Sequence, residues 1–430
     1  MAPRSVPPGL KRADCRIHMI LLSFFKVYHN MTQLPTFSNR RFFRAAVFFC
    51  CLTLSTLVFS GTAAANDGTL PPDVQKGVSA LLALRDSGAA LPDAATLAAF
   101  LEFTMSPVNL KGVDDKAPNP DKYEKGSGIF WRSRLRNVPL ATTLEYLFNP
   151  KVPMTVVYPA SIRYAAWQPG SGILNLPKPL WEQLGQHKDK PLVLRGTELE
   201  EITPDDNSGA YYRYMLDRVL ILTEHEGQQA IISLSWQKGK SEVGKKAATI
   251  GNYSNWDFVY SGVKGTLAKG IGWAETYIYS SASIIVFYED APGGKDTCYS
   301  MYRWMDAGWS GMNMVKRSHI AAGAERSFAG LKAFMESPKR PTPAAIDAYI
   351  QSLKALDLPA LQARFAPYSA KVEESAATVD ALQSDDFQNI IKDGGYGKSM
   401  TKDELIAAFA VNFIKQQLGK PLFAGPLDGK

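Results

Sequence analysis

Apolar and polar positions alternate through RVLILTEHEGQQAIISLSW, NWDFVYSG, GWAETYIYS, ASIIVFYED and CYSMYRWM, all between Arg218 and Met305. The runs are rich in β-branched and aromatic residues, and the short polar breaks between them are those of antiparallel strands. The period then changes. From Lys316 to Ser337, Ile320, Ala324, Phe328, Leu331 and Met335 recur on one helical stripe, while Lys316, Arg317, Glu325, Arg326 and Lys332 fall elsewhere. Ser337-Pro338 ends the helix, because a proline disfavours helical geometry in the residue before it. Strands followed by one long amphipathic helix predict an α+β fold, a curved antiparallel sheet gripping a helix, and a cleft between the two is a natural ligand site.

On either side of this stretch the periodicity is helical. Asp73–Arg85 and Asp93–Thr104 read as two short helices, and a polar loop follows over Asn109–Gly128. A helix is expected around Leu140–Phe148. VPMTVVYPASIRYAAW then reads as a strand, with Pro153 and Pro159 arguing for an edge. PLVLRG is a further strand, Leu199–Ser208 an acidic loop, and Glu224-His225-Glu226-Gly227 a hairpin turn. After Pro338 an Ala-rich region predicts helices over Ala344–Leu356, Pro359–Phe365, Pro367–Leu382, Asp386–Ile391 and Asp403–Leu418. The last is opened by a Thr401–Glu404 capping box. The expected organisation is a leader over 1–65, helices and loop over 66–128, the sheet and long helix over 129–338, and a helical C-terminal subdomain over 339–430.

The leader changes the picture most. Basic Asn39–Arg44 precedes the uncharged apolar run Ala45–Ser60, and Ala63-Ala64-Ala65 offers a small-residue cleavage site before Asn66. The run is shorter than the roughly 20 residues a membrane span needs. A secretory signal peptide is therefore expected, with translation starting at Met1, Met19 or Met31, and the mature chain is expected to be periplasmic or secreted. Arg40-Arg41-Phe42-Phe43 leaves a twin-arginine route open beside general secretion. The full chain carries a formal +7, but residues 1–65 hold eight basic residues and one acid, so the remainder has 40 of each sign. The basic excess thus gives no reason to expect nucleic acid as a partner. Of the four cysteines only Cys298 lies beyond the leader, which excludes an internal disulfide in the mature chain. In an alternating strand, Cys298 is expected to be a small buried thiol.

Motif chemistry is sparse. Asp205 and Asp206 match no calcium-loop spacing, Glu224-His225-Glu226 would point to opposite faces of a strand, and Gly239-Lys240-Ser241 lacks the earlier glycine of a phosphate loop. No metal, cofactor or catalytic set is expected. What stands out is aromatic patterning: Trp256, Phe258 and Tyr260, then Trp273, Tyr277 and Tyr279, then Phe287, Tyr302 and Trp304. Together with Phe328 of the helix they are the candidate pocket residues, on one sheet face lining a cavity for an apolar or amphipathic molecule. Arg213 and Arg303 are candidate partners for an acidic head group. Two alternatives stay open. An enzyme could use Glu275 as a buried base, and an envelope assembly protein could work through the Ala-rich helices.

The closing segment YSMYRWMDAGWSGMNMVKRSHIAAGAERSFAGLKAFM resembles the end of a START-like, helix-grip lipid-binding domain (of the SRPBCC type). There a last strand, a Gly/Trp-containing turn and a long C-terminal helix cover a hydrophobic cavity. The resemblance runs over Phe130–Ser337 and rests on element order and hydrophobic pattern. It implies the fold and a lipid-like ligand class, with no individual binding residue. The leader, the Pro-rich loops and the helical tail depart from that pattern.

Overall fold

The structure is a computed structural model that describes residues 68–106, 118–188, 190–204, 209–268, 272–392 and 395–427. The leader, Asp205 and Asp206 lie outside the described residues. Helices α1 (Pro72–Leu82) and α2 (Ala94–Met105) come first. Their buried positions, Val74, Val78 and Leu81 on α1 and Leu97, Phe100 and Leu101 on α2, are those the spacing predicts. The Asp93 carboxylate caps α2, accepting from the Thr96 amide at 2.9 Å and the Thr96 hydroxyl at 2.8 Å.

Next in the chain are β1 (Ser127–Leu135), α3 (Leu140–Leu147), α4 (Met154–Val157), β2 (Ile162–Trp167), β3 (Leu192–Ile202), β4 (Ala210–Tyr211), β5 (Arg213–His225) and β6 (Gln228–Gln237). These are followed by β7 (Lys245–Thr249), β8 (Phe258–Lys264), β9 (Thr266–Ala268), β10 (Gly272–Ala274), β11 (Thr276–Glu289), β12 (Thr297–Trp309) and β13 (Met312–Asn313). The main sheet runs β1-β12-β11-β6-β5-β3-β2, with β13 paired to β12. Every pairing in it is antiparallel. From β2 to β12 its strands neighbour one another in chain order, and β1 adds beside the last of them. The sheet does not close into a barrel.

Glu226 and Gly227 turn β5 into β6 with φ of 49° and 83°, the paired left-handed geometry of a tight hairpin. β4, β7 and β8 form a separate three-stranded sheet, and β9 and β10 a two-stranded one.

The long helix α5 (Arg317–Met335) buries Ile320, Ala324, Phe328, Leu331 and Met335, the predicted stripe. It lies on the sheet face that carries Ile129, Trp131, Phe287, Tyr299 and Met301. Gly330 makes a close approach possible here: a Cβ at this position would lie 2.9 Å from that of Ala160, just after α4. The opposite face is covered by α1 and α2, which bury Phe130, Ile232, Ile284, Tyr302 and Trp304. Both faces are therefore covered along β5, which is why its middle, Val219–Thr223, is buried without alternation.

The C-terminal region adds α6 (Pro343–Lys354), α7 (Leu358–Ser375), α8 (Asp385–Lys392) and α9 (Lys402–Leu418). Its buried residues join the hydrophobic cluster of α5. Among the described residues no helix is long and apolar enough to cross a membrane.

Five local expectations fail. Residues 199–202, expected in an acidic loop, continue β3, in register with β5 as far as Glu201. Residues 277–280 and 282–289, expected on two strands, lie on the single strand β11. Met154–Val157 is a helical turn, because Pro153 sets its start and Thr155, Val156 and Val157 all find burial; the edge strand begins only at Ile162. Pro367 lies inside one continuous helix. A proline there costs about 3 kcal/mol, and burial of Leu361, Phe365 and Val372 on the same helix outweighs it. The sheet β4-β7-β8 carries no strong alternation in β7 and was not foreseen there.

Candidate functional site

The structure does not bring the ten candidate rings together. Strand register is the reason. Phe287 pairs with Tyr299 and Tyr302 with Ile284, so Phe287 and Tyr302 point to opposite faces. Phe287 of the sheet and Phe328 of α5 share a neighbour, each packed on Tyr299 with ring centroids 5.1 and 5.3 Å away. Tyr302 and Trp304 lie on the far face. There Tyr302 stacks on Phe130 at 4.4 Å and shares a hydrogen bond of 2.8 Å with the Thr104 hydroxyl.

Trp256 precedes β8 in a left-handed conformation, and Phe258 and Tyr260 sit on β8 itself, in the smaller sheet. Tyr277 and Tyr279 are half-buried near the start of β11, and the Trp273 side chain lies outside those described. Glu275 is exposed and accepts from the Tyr277 hydroxyl at 2.6 Å, so it is not a buried base. Arg213 is engaged by Glu201 at 2.8 Å. Cys298 is buried, and burial pushes its thiol up to about 12.

Trp256, Phe258 and Tyr260 line a half-enclosed cleft between β8 and helices α7 and α9. Its free volume is about 60 Å³, far below the several hundred Å³ of a small-molecule pocket. The polar groups around it already satisfy one another. Arg163 donates to Glu201 at 2.6 Å and to Glu404 at 2.9 Å, and its guanidinium sits 3.8 Å from the Tyr260 ring centre. Lys415 donates to Asp257 at 2.5 Å, and Lys420 covers Trp256 at 4.1 Å. Burial pushes Asp257 up and Lys415 down, against the attraction between them. Against the upward push of burial, Arg163 and the bonds from Thr401 hold the Glu404 carboxyl below its ordinary value. The cleft works as a junction that fastens α9 to the sheets.

The concave face beneath α5 is different. Arg218, Ser235, Ser283 and Arg303 form one row across β5, β6, β11 and β12, each in register with the next. The two serine hydroxyls share a hydrogen bond of 2.7 Å, and Arg218 donates to Ser233 at 3.2 Å. Arg218 also ion-pairs with Glu198 at 3.4 Å. Burial pushes Glu198 up to about 7, with Arg218 opposing the shift. The Tyr214 hydroxyl donates to Glu200 at 2.5 Å.

Ile285, at the middle of β11, keeps accessible surface although helices lie over this face, and so do Tyr158, Met305 and Arg303. Tyr158 follows α4, and burial raises its phenol well above the ordinary value. These four residues are the part of the concave face that packing leaves incompletely covered.

No family model, curated protein or solved structure matches this chain. The site must be read from its own chemistry. Sequence reasoning selected Arg303, Phe287 and Phe328 on this face and missed Tyr158, Tyr299, Trp131 and Arg218. The signal was there in part: alternation groups Tyr299, Met301 and Arg303 apart from Tyr302 and Trp304. Which group faces the helix is a matter of tertiary packing. Among the described residues no group of His, Cys, Asp and Glu is arranged to hold a metal. The exposed large hydrophobics among them are Leu174, Met312, Met314 and Leu358, of which only Leu358 is in the C-terminal region.

Proposed function

We propose that this is an exported protein that binds an apolar or amphipathic small molecule between the main sheet and α5, in the manner of the START-like domains its closing segment resembles. The observation that carries the reading is the accessible surface left on Ile285 and Tyr158, in the middle of a sheet face that helices cover. Support comes from the element order, a last strand running into a long helix laid across the sheet. The mixed lining also fits, with rings at one end and the row from Arg218 to Arg303 at the other.

Native mass spectrometry of the protein purified from its own host tests it. A retained small molecule is expected, and it should be lost when Ile285→Trp fills the space. An unliganded mass for the unaltered protein removes the reading. Export is tested separately by sequencing the N-terminus of the same material. A start at Asn66 is expected, and retention of the apolar run Ala45–Ser60 refutes it.

A further inference from the structure

Buried hydrogen-bond donors in folded proteins are nearly always paired, yet on the concave face several donors are unpaired or only weakly paired. The Trp131 indole N–H is buried without a hydrogen-bond partner, and the Arg218 Nε–H has only its ion pair with Glu198 at 3.4 Å. The Tyr158 hydroxyl, on a half-buried residue, has no hydrogen-bond partner among the described residues. The Tyr299 hydroxyl reaches only the Met301 thioether, a weak acceptor, at 3.2 Å. Arg303 pairs with no described carboxylate; its hydrogen-bond partner is the Tyr214 hydroxyl oxygen, whose own proton goes to Glu200, so the remaining guanidinium N–H groups are left to an incoming acceptor.

Tyr299 feels both Tyr158 and Arg303, and its ring packs on Trp131 at 5.5 Å. Acceptors are scarce by comparison, since Glu200 is taken by Tyr214, and Glu198 pairs with Arg218.

We propose that this face recognises the carboxylate of a small amphipathic acid, held by Arg303, Tyr299 and Tyr158 with its apolar part over Ile285 and Met301. This rests on the sheet–helix reading above and names its ligand class. A carboxylate brings two oxygens with several lone pairs to a place where donors outnumber acceptors, and a guanidinium–carboxylate contact is among the stronger ones available. The charges agree. Two arginines face Glu200 and Glu198, and burial holds Glu198 up to about 7, so the cluster is net positive near neutral pH. The apolar neighbours Ile285 and Met301 are in register on adjacent strands, one position from the Ser283–Arg303 pair on that face.

The test uses the full protein with 13C-methyl methionine, because Met301 and Met305 flank Arg303 on the same face of β12. Sodium butyrate is titrated against n-butanol and sodium chloride. A saturable shift of both methyl signals by butyrate is expected, with butanol at least tenfold weaker and chloride without effect. Arg303→Gln should weaken butyrate at least tenfold. Tyr158→Phe with Tyr299→Phe should weaken it several-fold while leaving the unfolding midpoint unchanged or raised, since neither hydroxyl has a good protein acceptor. That second pair of changes carries the test if Arg303→Gln does not fold. Equal binding of butanol and butyrate, or unaltered butyrate affinity in the variants, overturns the carboxylate assignment and leaves the sheet–helix cavity standing. No shift with either compound overturns both.

Discussion

Lys415→Met is the most informative single perturbation of the fold. Lys415 is 2% exposed and its ion-pair partner among the described residues is Asp257, whose side chain is 10% exposed. Removing the lysine leaves a buried carboxylate that has lost its hydrogen-bonded cation. Such losses cost about 3–5 kcal/mol. A ceiling comes from protonation, because the stranded acid can always take up a proton. From the ordinary value of 3.8, that escape costs about 4 kcal/mol at pH 7 and between 1.5 and 2 kcal/mol at pH 5, at about 1.4 kcal/mol per pH unit.

The sign follows from proton counting. In the variant, the folded state binds a proton that the unfolded state has released above 3.8. Stability of the variant therefore falls, relative to the unaltered protein, as pH rises from that value to the new folded one. Urea denaturation followed by tryptophan fluorescence should give a loss of about 3–4 kcal/mol at pH 7 and roughly half that at pH 5. Adding Asp257→Asn should abolish the pH dependence and return part of the loss. A cost below about 1 kcal/mol at pH 7, or the same cost at both pH values, would refute the view that α9 is fastened by a desolvated ion pair.

Three further outcomes are expected. Burial raises Glu198 from 4.5 to about 7, so its contribution is fully present below 4.5 and declines as pH rises toward 7. The decline amounts to roughly 3 kcal/mol, and a flat difference between the unaltered protein and Glu198→Gln over this window would count against it. Tyr302→Phe strands the buried Thr104 hydroxyl and should lower stability by about 1–3 kcal/mol. Tyr277→Ala, on a half-buried ring at the sheet's end, should cost much less, and denaturant midpoints compare the two directly. Cys298 should resist a thiol-disulfide reagent in the native protein and react at once in 6 M guanidinium chloride; prompt native labelling would contradict its buried, protonated state.

Local chemistry was legible wherever one residue's neighbours along the chain settle its state. The α5 stripe, the Thr401–Glu404 capping box and the Glu226-Gly227 hairpin depend on spacing and on side chains within a turn or two. Each is found where the periodicity places it. Side-chain parity within a strand was legible too: Tyr302 and Trp304 share a face, as alternation requires.

What the chain could not disclose is which face each parity class meets. That depends on register between strands far apart in sequence and on where α1, α2 and α5 settle. A shift of one residue in the β11–β12 pairing would exchange the two faces. The rings therefore divided among the far side of the sheet, the α9 junction and the concave floor. The partners that set the electrostatics lie still further apart. Arg163 meets Glu404 and Asp257 meets Lys415 across separations of 241 and 158 residues. No local pattern encodes such pairs, because burial in the folded chain is what gives them their energy.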